Sequence, residues 1–173
     1  MGAPSALSPL LLPSPPAMLP PRVPPPPSRT PMRVRPFEDD DEDDVVALWE
    51  RAGLLRPWND PHRDIANKCA VQRELFLVGI LDEAVVATVM AGYDGHRGWV
   101  YYLAVDPVHR RLGLGREMVG EVERRLARLG CVKLNLQVRE DNLGAVAFYE
   151  RLGFTADRVV SLGKRLAPPD ERR

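Results

Sequence analysis

Residues 104–126, AVDPVHRRLGLGREMVGEVERRL, decide how the rest of the chain is read. An apolar run stops at Asp106-Pro107, a basic turn carries Gly113 and Gly115, and a segment of helical periodicity follows. Met118, Val119, Val122, Leu126 and Leu129 fall on one side of that helix, expected from about Gly115 to Leu129. Glu121 pairs with Arg125 at i,i+4, and Gly130 closes the helix. A strand, a glycine turn and a helix whose first amides lack partners make a place for an anion. A phosphate-gripping loop of the Lys-Ser/Thr kind is excluded, because Arg116 and Glu117 follow Gly115. A dinucleotide fingerprint wants a third small residue where Met118 stands. What remains is R-x-x-G-x-G, from Arg110, Gly113 and Gly115. A side chain at either glycine is expected to hold a pyrophosphate away from the backbone amides, while Arg110 and Arg111 add charge without a metal.

Upstream, MRVRPF reads as a first strand, and the acidic run at residues 38–44 leads into a helix with Val45, Leu48 and Trp49 at helical spacing. Acidic residues in a first turn complement the helix dipole, so an interaction tail is the weaker reading. After the loop LLRPWNDP, Asp60-Pro61 forms the N-cap and first position of a second helix. Three strands follow, joined by a tight turn near Asp82-Glu83 and by the DGHRG turn at residues 94–98. Downstream of the glycine helix, residues 132–138 read as a strand, NLGAVAFYERLG as a helix, and FTADRVVSLGKRL as one or two final strands. Strands joined both by hairpins and by helices imply a mixed sheet covered by helices.

The chain has 173 residues, the size of one domain, and a formal net charge of zero. Nothing in that balance calls for nucleic acid or a membrane, and the arginines of the glycine helix alternate with Glu117, Glu121 and Glu123. Two cysteines, Cys69 and Cys131, show neither disulfide nor metal spacing and suit a reducing cytoplasm. Residues 1–31 are proline-dominated and are expected to be disordered, neither signal peptide nor lipidation signal, with Met32 as the biological start of translation. A single domain is expected over residues 32–167, with a polar tail at 168–173.

Residues 142–154, NLGAVAFYERLGF, have the form N-x-x-A-x-x-F-Y-x-x-x-G-F. On a helix, Asn142, Ala145 and Tyr149 share a face. Together with the glycine turn one strand earlier, this spacing resembles the GNAT superfamily of acetyl-CoA-dependent N-acetyltransferases, over residues 32–166. LWERAGLLRPWNDPHRDIANK, MAGYDGHRG, YYLAVDP, NLQVREDN and SLGKRL are similar to its bacterial YpeA-type branch. The resemblance implies the GNAT (acyl-CoA N-acyltransferase) fold, an α/β (α+β) arrangement with a mixed, mostly antiparallel sheet of about six to seven strands flanked by helices.

It also implies roles. Backbone groups of Leu103, Ala104 and Val105 would hold the pantetheine arm where the fourth and fifth strands part. Amides of Arg111, Leu112, Gly113, Leu114, Gly115 and Arg116 would bind the pyrophosphate, with Arg110 beside them. Asn142 would meet the pantetheine chain and Tyr149 would protonate the leaving thiolate. The implied reaction is direct transfer of acetyl from acetyl-CoA to an amine through a tetrahedral intermediate, without metal. The strand position where many members carry a base Glu has none, so Tyr101, Tyr102, Asp94 and His96 are the base candidates. Arg56, Trp58, Asn59 and Asp60 are acceptor-site candidates. The acceptor is a small-molecule amine or a protein N-terminal amine; an acetyl-CoA sensor or a catalytically silent scaffold is the alternative. The protein is expected to be cytoplasmic and monomeric or homodimeric.

Overall fold

The computed structural model describes residues 31–164 and residue 166. The readings of residues 1–30, and of 167–173 including the expected polar tail, fall outside the described residues.

The hairpin-rich middle of the chain builds the sheet. β1 (Arg33–Pro36), β2 (Phe76–Leu81), β3 (Ala84–Tyr93) and β4 (Gly98–Val105) run antiparallel in order, and β5 (Leu134–Leu136) adds parallel to β4. Asp82 and Glu83 both take positive φ, 49° and 62°, which matches the twist a two-residue hairpin needs. The helices are α1 (Glu42–Ala52), α2 (Pro61–Ala70), α3 (Leu114–Arg128) and α4 (Leu143–Glu150). A short 3₁₀ turn at Asp39–Asp41 precedes α1, so the acidic run does begin a helix.

Helices cover both faces of the sheet, which is why β2 reads FLVGIL without polar alternation. Leu77, Val89 and Val100 pack with Met118, Val122 and Leu126 of α3. Phe76, Val78 and Met90 pack on the other side with Val45, Leu48 and Trp49 of α1 and Ile65 of α2. Alternate residues of one strand thus feed opposite layers.

The structure corrects three expectations. Leu129 is half exposed, because α3 ends at Arg128 and the chain turns away; Leu114 is buried at the other end instead. The strand expected at residues 132–138 is only three residues long, and Val132 points to solvent. Most visibly, the sheet has five strands rather than six or seven, since no strand follows α4 among the described residues. Val159, Val160 and Leu162 are 77, 84 and 90% exposed. Val159 and Val160 are β-branched and suit a pleated surface, but a strand exists only where a neighbour supplies the ladder and the packing.

Candidate active site

The central feature is a bulge in β4. Thr88 of β3 is opposite Ala104 and Met90 is opposite Tyr101, so Val89 alone faces both Tyr102 and Leu103. Tyr102 absorbs the extra residue with a left-handed φ of 51°. Such strain costs on the order of 1–3 kcal/mol for a non-glycine residue and persists only where the surroundings hold it. Here they do. The Tyr102 ring stacks on Trp49 with centroids 4.2 Å apart, and its carbonyl accepts from the Thr88 hydroxyl at 3.2 Å. Its phenol donates to Asp64 Oδ2 at 2.6 Å and accepts from Asn59 Nδ2 at 3.0 Å.

Beside the bulge the sheet opens. β5 pairs with β4 only from Gly98 to Val100, so among the described residues no strand pairs with the β5 side of Tyr101 to Val105. Leu103, Ala104 and Val105 therefore offer backbone groups to an extended ligand, as an added strand would use them.

β4 runs into the glycine turn at Asp106. This buried carboxylate accepts from Val108 N at 3.1 Å and from the Arg51 guanidinium of α1 at 2.9 Å. Burial pushes its pKa up, but the Val108 amide and Arg51 outweigh that and hold it below the usual range. Arg110 Nε donates to Val105 O at 3.3 Å, which brings a guanidinium to the end of β4. Gly113 is the N-cap of α3 with φ 86°, and no side chain caps the helix. The first intrahelical bond there is Glu117 N to Gly113 O, so the amides of Leu114, Gly115 and Arg116 have no acceptor within the helix.

The two glycines differ in purpose. A Cβ on Gly113 would meet nothing within 4 Å, and its positive φ is what requires glycine. A Cβ on Gly115 would lie 3.1 Å from Phe148 and 3.7 Å from Val105. The expectation that Gly115 only clears room for a pyrophosphate is thus incomplete: it lets the end of β4, the start of α3 and the face of α4 meet.

α4 brings Tyr149 to that junction. Its ring packs edge-on against Phe148 and Phe154, with centroids 5.0 and 5.4 Å away. Burial raises the phenol to about 12, and the hydroxyl has no hydrogen-bond partner among the described residues. Asn142 is not within the helix, as its i, i+7 spacing to Tyr149 suggested, but is the N-cap, its Oδ1 accepting from Ala145 N at 3.1 Å. An amide one residue outside the helix still satisfies the same spacing.

On the α2 side of β4 lies a cleft of about 250 Å³ lined by Asp64, Lys68, Met90, Gly92, Tyr101 and Tyr102 among others. Of the acceptor-site candidates, Asn59 reaches it through Tyr102. Asp60 caps α2 by accepting from Arg63 N, Arg56 donates to the carbonyls of Gly53 and Leu55, and Trp58 is exposed. Of the base candidates, Tyr101 and Tyr102 line the cleft. Asp94 accepts from the amides of His96 and Arg97 and from the Trp99 indole, holding its own turn, where His96 is exposed. Burial, then the bond to Asp64, raises Tyr102 to about 12, so it keeps its proton near neutral pH. Sequence reasoning gave no place to Thr88 or Lys68; the signal for Thr88 was one hydroxyl inside the apolar run VVATVMA.

The comparisons with known proteins agree with this arrangement. A family model described as "Acetyltransferase (GNAT) family" matches residues 36–154. An acetyltransferase of Yersinia pestis (strain Pestoides F) is 45% identical over 137 residues, covering 79% of this chain and 97% of its own. The ribosomal-protein-S18-alanine N-acetyltransferase of Escherichia coli superposes with TM-score 0.61 at 26% identity, over 72% of this chain and 77% of its own. The PaiA N-acetyltransferase of Thermoplasma acidophilum, in complex with coenzyme A, shares the fold with TM-score 0.67 at 14% identity, over 76% of this chain and 94% of its own.

Proposed function

The chain belongs to the GNAT family of acetyltransferases and is an acetyl-transferring enzyme; we propose that it moves acetyl from acetyl-CoA directly to an amine, using the β4 bulge, the glycine turn and Tyr149. The observation that carries this reading is the junction at Gly115, where β4, α3 and α4 come together beside the opened β4 edge. Acetyl-CoA supplies the thioester when bound. This chain fits it: an uncapped α3 N-terminus with guanidinium groups nearby suits a pyrophosphate, and an unpaired strand edge suits an amide-bearing arm.

Amides from Arg111 to Arg116, with Arg110 and Arg111, bind the pyrophosphate. Backbone groups of Leu103, Ala104 and Val105 hold the arm, and Asn142 approaches it from the start of α4. An N–H at the bulge stabilises the developing oxyanion, an effect worth about 10²–10³-fold per donor in comparable sites. Tyr149, protonated and without a hydrogen-bond partner among the described residues, gives its proton to the departing sulfur. Tyr102 holds its proton and fixes Asp64, which meets the amine as the cleft's anion. Once the new C–N bond forms, the nitrogen becomes acidic, and a carboxylate suffices to take its proton.

Calorimetric titration of the full chain with acetyl-CoA, beside a Gly113→Glu variant, tests the reading. Micromolar binding that the variant abolishes supports it. A folded protein that does not bind overturns it. A protein N-terminal amine is a second acceptor reading, favoured by the likeness to the Escherichia coli alanine N-acetyltransferase.

A further inference from the structure

The cleft against α2 contains two opposite charges that do not satisfy each other. Asp64 and Lys68 are four residues apart on one helix, a spacing at which opposite charges are neighbours and normally pair. Among the described residues, neither makes an ion pair. Asp64 is held by a neutral group, the Tyr102 phenol at 2.6 Å. Lys68 Nζ donates to the carbonyl of Val71 at 3.0 Å, beyond the C-terminal end of the helix. Each charge is thus drawn away from the other by a separate anchor, while both line the same cleft.

Lys68 makes no ion pair among the described residues, and burial pushes its pKa down against the opposing pull of Glu74 and Cys69 nearby. An ammonium carries three donors, and the carbonyl of Val71 uses one. Asp64 Oδ1 is likewise not used by any hydrogen bond among the described residues. The cleft offers about 250 Å³, below the roughly 300–1,000 Å³ usual for drug-sized ligands, which favours a small molecule over a peptide chain. Met90 adds an apolar wall, Gly92 leaves space at the sheet, and Tyr101 and Tyr102 join the cleft to the bulge.

We propose that the acceptor is a small zwitterion of the amino-acid class, whose ammonium meets Asp64 and whose carboxylate meets Lys68. This rests on the acetyltransferase reading above and specifies its substrate. The recognised pair sets the orientation: the amine lies at the β4 end of the cleft, where Tyr102 anchors Asp64, and the carboxylate is drawn along α2 towards Val71. In the transfer, the ammonium first gives one proton to solvent water at the open cleft, and the freed lone pair forms the C–N bond as the C–S bond breaks. The sulfur receives the Tyr149 proton, the nitrogen loses its second proton to Asp64, and solvent water reprotonates Tyr149 and carries off the Asp64 proton. Lys68 remains a specificity-determining residue and carries no proton in the reaction.

The test measures thiol release from acetyl-CoA by the full chain with three acceptor sets: α-amino acids, their carboxamides, and a peptide beginning with alanine. Wild type is compared with Lys68→Met, and acetyl-CoA affinity is measured for both by calorimetry. The expected result is that some amino acid exceeds its own carboxamide about tenfold or more in kcat/KM, the scale of one charge-assisted hydrogen bond. Lys68→Met raises KM for that amino acid by a similar factor, leaves its carboxamide unaffected, and leaves acetyl-CoA affinity unchanged. Normal acetyl-CoA binding with equal use of acids and carboxamides, or with turnover confined to the peptide, overturns the zwitterion proposal and leaves the acetyltransferase reading standing. Loss of acetyl-CoA binding in wild type overturns both. If Lys68→Met is too unstable to measure, Lys68→Arg, which keeps the charge, retains the preference, and its loss there counts against the proposal.

Discussion

The indole Nε1 of Trp49 donates to Thr88 Oγ1 at 2.9 Å, and both groups are fully buried. The Thr88 hydroxyl in turn donates a hydrogen bond to the carbonyl of Tyr102 at 3.2 Å, so α1, β3 and the β4 bulge form one hydrogen-bonded chain. Thr88→Val keeps the shape and removes both bonds, leaving a buried indole N–H unpaired at a cost of about 1–3 kcal/mol in stability. Because the bulge then loses its carbonyl anchor, kcat is expected to fall about 10- to 100-fold, the scale of a slight misplacement of reacting groups. Thr88→Ser restores both the bonds and the rate. Equal kcat in the Val and Ser variants would remove Thr88 from this positioning role.

Tyr149→Phe keeps the ring contacts with Phe148 and Phe154 and removes only the hydroxyl. The expected outcome is a loss of about 10²–10⁴-fold in kcat with acetyl-CoA affinity nearly unchanged. The wild-type phenol, raised to about 12 by burial, stays protonated through the neutral and mildly alkaline range. Steady-state rates should therefore show no alkaline fall from this group between roughly pH 7 and 10, given a reference tyrosine near 10. A fall near pH 9 absent from the Phe variant would mean that Tyr149 titrates lower than its burial dictates.

The glycine turn permits a contrast. Gly113→Ala meets no neighbour but forces a left-handed φ of 86° on a residue with a Cβ, expected to cost about 1–2 kcal/mol and to weaken acetyl-CoA binding. Gly115→Val presses on Phe148, whose ring already lies 3.1 Å from a bare Cβ position, so it should shift α4 and lower kcat through Tyr149. Titration calorimetry and steady-state kinetics on the two variants separate these effects. Identical profiles would show that the glycines share one role.

Both hairpins joining β2, β3 and β4 and the Asp60-Pro61 start of α2 were legible because each rests on local chemistry, namely apolar runs, turn residues and caps; the pairing of β1 with β2 was not. The R-x-x-G-x-G and N-x-x-A-x-x-F-Y spacings were visible as local patterns in the same way. The bulge was not. It depends on Thr88, Trp49 and Tyr102, separated by up to 53 positions and united only by the fold. The Asp64–Tyr102 bond, spanning 38 positions, was hidden likewise. Terminal strands were over-read because Val159, Val160 and Leu162 show propensity, whereas pairing needs a partner.

Asp41 ties the protein's stability to pH in the acid range. It is buried and makes a bidentate pair with Arg35 of β1, at 2.6 and 2.8 Å, while also accepting from Glu38 N at 2.8 Å. Burial pushes its carboxyl up, but Arg35 and the Glu38 amide outweigh burial and hold the folded pKa below the ordinary value. A carboxyl depressed on folding stabilises the protein above its unfolded pKa, near 3.9, and that contribution vanishes as pH falls through the folded value. Asp106, held low against its own burial by Val108 N and Arg51, adds in the same direction. Urea unfolding from pH 7 downwards should show stability lost below about pH 4. Asp41→Asn should cost ~3 kcal/mol at pH 7, the lower end for breaking a buried pair, because Arg35 keeps some exposure. Its stability should then vary less with pH than the wild type's in the acid range. A variant with the full wild-type acid slope would show that Asp41 does not carry the linkage, and the pair would be reassigned to packing alone.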